Sequence, residues 1–351
     1  MRALVMLGPN RLEMADVPVP VVDPGWALLR VIVSSAGLFH TQMAAGMLDA
    51  GGFPRILGHE IIGEVVEAAS PASPAPGTLV VADAVVGCGV CEWCIRGEDS
   101  ICPWMRHLGI NLDGGFAEYV VAPEANIFPL PGDVDVNEAV MLSSALPVAV
   151  HSVRRSGVTS GSRVAVSGIG SIGLMVCQVA RAFGATTIVA ADVEDEHLEA
   201  SKPWVDATLN TRDLEPSEVS ARLAELADSD QGVDVAFETA GHPTSLDAMV
   251  RMPRPGGTAM LMGICDGPTS ISFEDYLSDF IRREIRLMTT FGYTRQDFLV
   301  GNALYLTGRV DVSRLVGDTI ELDAIPEVLA HINEHGTQGK RYVVSVGNTR
   351  P

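Results

Sequence analysis

Positive charge is scarce in this sequence: 24 Lys and Arg stand against 44 Asp and Glu, a formal net charge of −20. A surface of that sign repels phosphate backbones and anionic headgroups, so neither nucleic acid nor membrane is expected as a partner. Long apolar runs are missing too. No stretch of about eighteen uncharged apolar residues occurs, so nothing reads as a membrane-spanning helix. The opening MRALVMLGPNRLEM becomes charged too early to read as an export signal. There are no internal repeats and no low-complexity tail. The expectation is a cytoplasmic protein of ordinary globular composition, 47% hydrophobic and 19% charged, whose 351 residues predict two domains.

Cysteine is rare outside one place. Four of the six cysteines crowd into CGVCEWCIRGEDSIC, as Cys88, Cys91, Cys94 and Cys102, while Cys177 and Cys265 stand alone in apolar surroundings and read as core. In a long chain with no export signal, such clustering points to metal rather than disulfides. The spacing C-x2-C-x2-C-x7-C gives four soft thiolates on one short loop, the ligand set of a closed tetrahedral Zn²⁺ site. No histidine or carboxylate pair accompanies the four. One structural zinc per chain is therefore expected, in a lobe over about 87–103.

Two textures divide the chain. Up to about residue 130, short runs rich in Val such as ALLRVIV, IIGEVVE and TLVVADAVV alternate with turn-rich breaks such as SPASPAPG, which predicts a mainly β domain. From about residue 150, strand-like and helix-like segments alternate: RVAVS, then Ile172, Val176, Val179 and Phe183 at helical spacing with Gly184 as a stop, then TTIVAAD and VDVAFE. Alternation of that kind predicts an α/β fold with a doubly wound parallel sheet.

GIGSIG, residues 168–173, sits between the first of these strands and its helix. Gly168 permits the tight turn, Gly170 lets the backbone approach a pyrophosphate, and Gly173 lets helix and strand pack closely. Ser171 and Ile172 begin the helix whose free N–H groups would meet the phosphates. Asp192 ends the next strand, 19 residues after Gly173, where a carboxylate accepts hydrogen bonds from the adenosine ribose and repels a 2′-phosphate. Val193 and Glu194 follow, with no arginine beside them in sequence to welcome such a phosphate. The pattern predicts NAD(H).

These signals in this order, together with GHE at 58–60, DGGFAEY at 113–119, VDVAFETAG at 233–241 and RPGGTAMLMG at 254–263, resemble the medium-chain dehydrogenase/reductase family, nearest its zinc alcohol and polyol dehydrogenases. The resemblance covers essentially the whole chain. It implies a GroES-like catalytic domain split in sequence, 1–148 and 289–351, around a Rossmann NAD-binding domain, 149–288, with the active site in the cleft between them. It also implies a homodimer or homotetramer, with GPTSISF (267–273) as an interface strand. By the same resemblance Thr239 and Ala240 line the adenosine side, Gly263 and Ile264 face the nicotinamide, His40 lies near the pyrophosphate and His197 near the adenine ribose.

The resemblance fails at one telling place. Zinc-using members open the motif that here reads Phe39-His40-Thr41-Gln42 with a cysteine ligand and close it with an aspartate. The histidine of GHE, a second ligand, is present as His59, followed by Glu60. The third ligand position falls on Ser144. A catalytic zinc needs about three protein ligands, so none is expected here. The sequence thus predicts Thr41, His59 and Glu60 as catalytic groups and Phe39, Gln42 and Ser144 as pocket residues. The relay position after Thr41 is Ala44, so the family's usual proton path to solvent is broken or rerouted. The expected activity is hydride transfer between NAD(H) and an activated C=O, C=C or C=N of a small metabolite. Two alternatives stand beside it: a zinc-dependent alcohol or polyol dehydrogenase with a non-standard ligand set, and a cofactor-binding member without turnover.

Overall fold

The computed structural model describes residues 1–47, 50–265, 267–273 and 275–347. It forms two units. The first comprises Met1–Pro147, Gly292–Leu299 and Val312–Pro351, and the second Val148–Phe291 and Val300–Asp311.

The first unit is built on a sheet whose order runs Ile127–Pro129, Leu79–Ala82, Ile61–Ala68, Trp26–Ala36, Arg341–Ser345, Val316–Glu321, with Tyr119–Pro123 also paired to Trp26–Ala36. Val-rich strands suit this sheet because branched side chains pack well on a pleated surface. One core lies over its centre, with Leu29, Val31, Ile61, Val65, Val80 and Val120 buried together. A second joins the N-terminal strand Arg2–Gly8 to Phe116, Leu57 and the helix Ile325–His335 through Leu4, Met6, Ile325 and Ile332. The strand Trp26–Ala36 pairs antiparallel with Ile61–Ala68, Ser34 opposite Ile61. That register sets the motif following Ala36 beside the one preceding Ile61.

The second unit is a parallel sheet of order Ala207–Asn210, Thr187–Asp192, Arg163–Ser167, Val233–Glu238, Pro253–Leu261, Arg286–Thr289. A helix follows each of these strands, and the central strands are buried on both faces: Val164, Ala165 and Val166 are all fully buried. The strand order reverses direction beside Arg163–Ser167, where doubly wound sheets open a crevice at the carboxyl ends of their strands. Residues 267–273 form no strand, contrary to the expectation for GPTSISF; the edge of the sheet is Arg286–Thr289. Among the described residues no single helix is long and apolar enough to cross a membrane.

Candidate active site and metal centre

In the first unit the helix Leu38–Ala44 begins right after the central strand, with Gly37 extended at its N-cap. One turn of it carries Phe39, His40, Thr41 and Gln42. The partner segment reaches His59 through Gly58, whose φ of +95° favours glycine and whose added Cβ would come 2.6 Å from the Phe116 ring. The two segments bring rings together. His40 and His59 stack with centroids 4.5 Å apart, Phe39 meets His59 edge-on at 5.2 Å, and His107 meets it at 5.6 Å.

All three histidines are buried. Burial, reinforced for His40 by Arg341 and His107, lowers the His40 pKa to about 3. Burial brings His107 down to about 4, and burial with His40, His107 and Arg341 nearby takes His59 well below its ordinary value. At neutral pH these are uncharged imidazoles, each with one N–H and one lone pair. The Nδ1 of His107 lies 2.8 Å from Leu108 O, and the Nδ1 of His40 accepts from Gly37 N–H at 3.2 Å. His40 Nε2 and His59 Nδ1 are buried without a hydrogen-bond partner among the described residues. Unpaired buried nitrogens cost about 1–3 kcal/mol each, which marks this corner as built for a polar ligand.

Glu60 Oε1 lies 2.8 Å from Arg341 Nη1 but has no hydrogen-bond partner among the described residues, and Oε2 is the oxygen that is held. That buried oxygen accepts from Arg341 Nη1 at 2.8 Å and from the Ser35 hydroxyl. Ser144 is buried just after the turn Val140–Ser143; that turn is fixed by Ile61 N–H donating to Ser143 Oγ at 3.0 Å and by Tyr293 O–H donating to Ser143 O at 2.6 Å. Thr41 donates its hydroxyl proton to Leu38 O at 2.7 Å, within its own helix. Gln42 is half-buried on the same turn. Sequence reading missed His107 and Arg341, which reach the corner from two distant segments, and Ser35, at the end of the strand that leads into the helix. Only a lone arginine in the strand-like KRYVVSV gave any signal.

The cysteine lobe closes on itself. Among the described residues, Cys88, Cys91, Cys94 and Cys102 are the one group of three or more His, Cys, Asp or Glu placed to hold a metal ion, their sulfurs all within 4.8 Å of one another. Cys91 and Cys102 sulfurs are 3.7 Å apart and those of Cys88 and Cys94 4.0 Å. A tetrahedral Zn–S distance of about 2.3 Å spaces its sulfurs about 3.8 Å apart, so the cage fits zinc. Backbone N–H groups of Cys88 and Cys94 donate to Cys102 and Cys91 sulfurs, both at 3.5 Å, which favours thiolates. Gly87 is required here, since a Cβ would stand 2.8 Å from Cys94 Sγ.

In the second unit, Gly168 takes φ +89°, and its Cβ would strike Ala240. A Cβ on Gly173 would fall on Gly168 O, whereas one on Gly170 would meet nothing within 4 Å. The loop is tight where it packs and open where phosphate must approach, and the helix Ser171–Ala182 starts there with no side-chain cap on its N–H groups. This cradle fits a dinucleotide. Ser167 accepts from Thr239 N–H at 2.9 Å, and the Thr239 hydroxyl donates to Ser167 O at 3.0 Å and also to Gly168 O. A residue that sequence reading missed holds the next strands: buried Glu238 accepts from Ala240 and Gly241 N–H at 3.0 and 2.9 Å, with burial raising its pKa. Its carbonyl takes Met262 and Gly263 N–H. Ala240 and Gly263 are thus both tied to this one glutamate at the strand ends, the first to its carboxyl and the second to its backbone carbonyl. Its only sequence signal was an acidic residue closing the apolar run VDVAFE.

Asp192 Oδ2 accepts from Ile169 N–H at 2.5 Å and lies 3.2 Å from His197 Nδ1, which joins the glycine loop to the acidic strand end. Contrary to the sequence expectation, an arginine does stand beside this end. Asn210 pairs with Asp192 across the sheet, and two residues later Arg212 Nη2 reaches Glu194 Oε1 at 2.7 Å. Pairing between parallel strands creates that neighbour, and adjacency in sequence cannot show it.

A glycine-loop cradle on a parallel sheet, with a four-thiolate lobe on a β-rich unit, defines a dinucleotide-dependent oxidoreductase. The chain matches the alcohol dehydrogenase GroES-like domain over residues 23–132 and zinc-binding dehydrogenase over 171–304. It is 30% identical over 346 residues to sorbitol dehydrogenase of Bacillus subtilis, covering 95% of each chain. It is 31% identical over 281 residues to D-xylulose reductase A of Aspergillus oryzae, covering 77% of this chain and 75% of that one. A Sinorhizobium meliloti protein described as a zinc-binding dehydrogenase, solved with NADP, superimposes with a TM-score of 0.89 at 28% identity over 98% of both chains. The chain belongs to the zinc-type medium-chain dehydrogenase/reductase family, and it is an enzyme that uses a nicotinamide dinucleotide.

Proposed function

We propose that this enzyme is an NAD(H)-dependent reductase that holds one structural zinc, works without a catalytic zinc, and passes hydride to an activated C=O of a small metabolite. The observation that carries the reading is the set of groups around His59: a phenyl ring edge-on at 5.2 Å, and a glutamate already bound to Arg341 and Ser35. The names of the relatives, a sorbitol dehydrogenase and a D-xylulose reductase, favour a carbonyl/alcohol couple over C=C or C=N.

The nicotinamide supplies the hydride. What the chain supplies is a polar contact for the substrate oxygen. His59, kept neutral by burial, offers an N–H to charge developing on that oxygen without carrying charge itself. A neutral donor stabilises less than a metal ion does, so substrates whose neighbouring groups withdraw or spread charge are favoured over simple alcohols. Thr41 already donates its proton, so it serves first as an acceptor. His40, with Nδ1 accepting, carries its proton on Nε2 and can donate it to an anionic oxygen of the cofactor. Phe39, Gln42 and Ser144 are assigned to the pocket wall. Asp192 is assigned to the ribose hydroxyls, and Gly168, Gly170, Ser171, Ile172 and Gly173 to the pyrophosphate. A homodimer or homotetramer is proposed as well, supported by exposed Tyr276, Leu277, Ile281 and Leu287 at the sheet-edge side of the second unit.

The test is NADH oxidation by dialysed protein with activated carbonyls, enones, imines and simple ketones, and NAD⁺ reduction with polyols, each with and without added Zn²⁺. The reading expects activated carbonyls to turn over without added metal. A second reading, a zinc-dependent polyol dehydrogenase, draws on the unpartnered His59 nitrogen and the relatives' names. Polyol oxidation that appears only with added zinc would establish it in place of the first.

A further inference from the structure

The ribose end of the dinucleotide fold carries a charge arrangement that the order of residues in sequence conceals. Burial alone would raise the Asp192 pKa, but bonds from His197, Glu194 N–H and Ile169 N–H outweigh it and hold Asp192 ionised. Two residues on, Glu194 turns its carboxylate to Arg212. The guanidinium also donates to Val193 O at 2.9 Å, and the Arg212 N–H is fixed by Asn210 Oδ1 at 3.0 Å. Asn210 in turn donates to Asp195 Oδ1 at 2.6 Å. Arg212 is therefore anchored on the rim, two residues past the sheet partner of the carboxylate assigned to the ribose, with 57% of its side chain exposed.

A half-exposed guanidinium is a strong partner for a phosphomonoester, which it binds through paired N–H donors. In this chain one of those nitrogens, Nη2, is shared between Glu194 Oε1 and Val193 O. We infer that Glu194 sets the cofactor preference by occupying Arg212, and that without the Glu194 carboxylate Arg212 would bind a 2′-phosphate and the enzyme would accept NADP(H). This rests on the NAD(H) reading above. Asp192 stays ionised and still disfavours a 2′-phosphate, so the switch is read as the change in NADPH affinity relative to the parent. That change lies with the Glu194–Arg212 pair.

Binding of NADH and of NADPH to the full-length, zinc-replete protein tests this without any substrate, read by the change in nicotinamide fluorescence. The parent is expected to prefer NADH. Glu194→Gln is expected to tighten NADPH by about tenfold or more, the worth of one freed charge-assisted bond. It should move NADH by less than about threefold, since an exposed pair contributes little by itself. Adding Arg212→Gln should abolish the gain. The inference is overturned if NADPH affinity stays put in Glu194→Gln, or if the gain survives loss of Arg212. NADH binding in the same experiment separates the two failures: its absence from the parent would overturn the dinucleotide reading itself, while its retention with no NADPH gain overturns only the role of Glu194.

Discussion

His59 is where residue-level physics decides the chemistry. Its ring lies between the stacked His40 and the edges of half-buried Phe39 and buried His107, so protonation is disfavoured and the imidazole remains a neutral donor. Replacing it by glutamine retains a donor in a different position; replacing it by alanine removes the donor. His59→Ala is expected to lower kcat by about 100-fold or more, the usual worth of one transition-state donor. NADH affinity should be unchanged, and steady-state kinetics with separate cofactor titration reads the split. A matching loss of NADH binding would mean that His59 serves the fold or the cofactor instead. Much of this corner was legible in sequence because FHTQ and GHE are local motifs on either side of paired strands. Arg341 and His107 were not, because each arrives from a segment whose own pattern reads as strand or turn. Nothing local marks either as the partner of a buried carboxylate or of a buried ring.

At the scale of elements, the two best-read features are those whose function is encoded within one turn. The cysteine lobe and the glycine loop place all their groups on short contiguous segments, so spacing alone predicts the geometry. Gly173 shows how little slack there is: an added Cβ would land on Gly168 O, which is itself held by the Thr239 hydroxyl. Gly173→Ala must push the helix Ser171–Ala182 off its strand, and dinucleotide binding should weaken by about 100-fold as the phosphate cradle opens. Circular dichroism of the variant should remain close to the parent's. Unchanged NADH affinity would show that the loop is only a turn. The Glu238 clamp and the Arg212 neighbour lay beyond sequence reading for a common reason: both depend on which strands lie side by side in the parallel sheet, and strand order is set by packing of whole βα units.

For the whole molecule, buried titratable groups should shape the pH profile of stability. Three histidines have folded-state pKa values below the ordinary 6.5, His40 near 3 and His107 near 4. The unfolded chain therefore takes up protons that the folded chain refuses as pH falls below 6.5. Their stabilisation is complete above that value and is lost on acidification, by up to about 1.4 kcal/mol per pH unit for each histidine. Asp83, pushed to about 7 by burial, acts the other way, losing stability as pH rises from about 4 toward 7. Asp99 and Glu238, also raised by burial, act with Asp83, but the three histidines begin to lose stabilisation at 6.5 and predict a net fall in the urea midpoint from pH 6.5 to pH 5, with a shallower fall in His107→Gln. A midpoint that holds steady or climbs over that range would contradict the burial described here.

The central claim joins one filled lobe to a metal-free reaction corner, and the zinc content of the purified protein, in moles per chain after extensive dialysis, tests it most directly. About one zinc per chain is predicted, held by Cys88, Cys91, Cys94 and Cys102. About two per chain would contradict the account: a second ion would need ligands beside His59, and the zinc-dependent polyol reading would take its place.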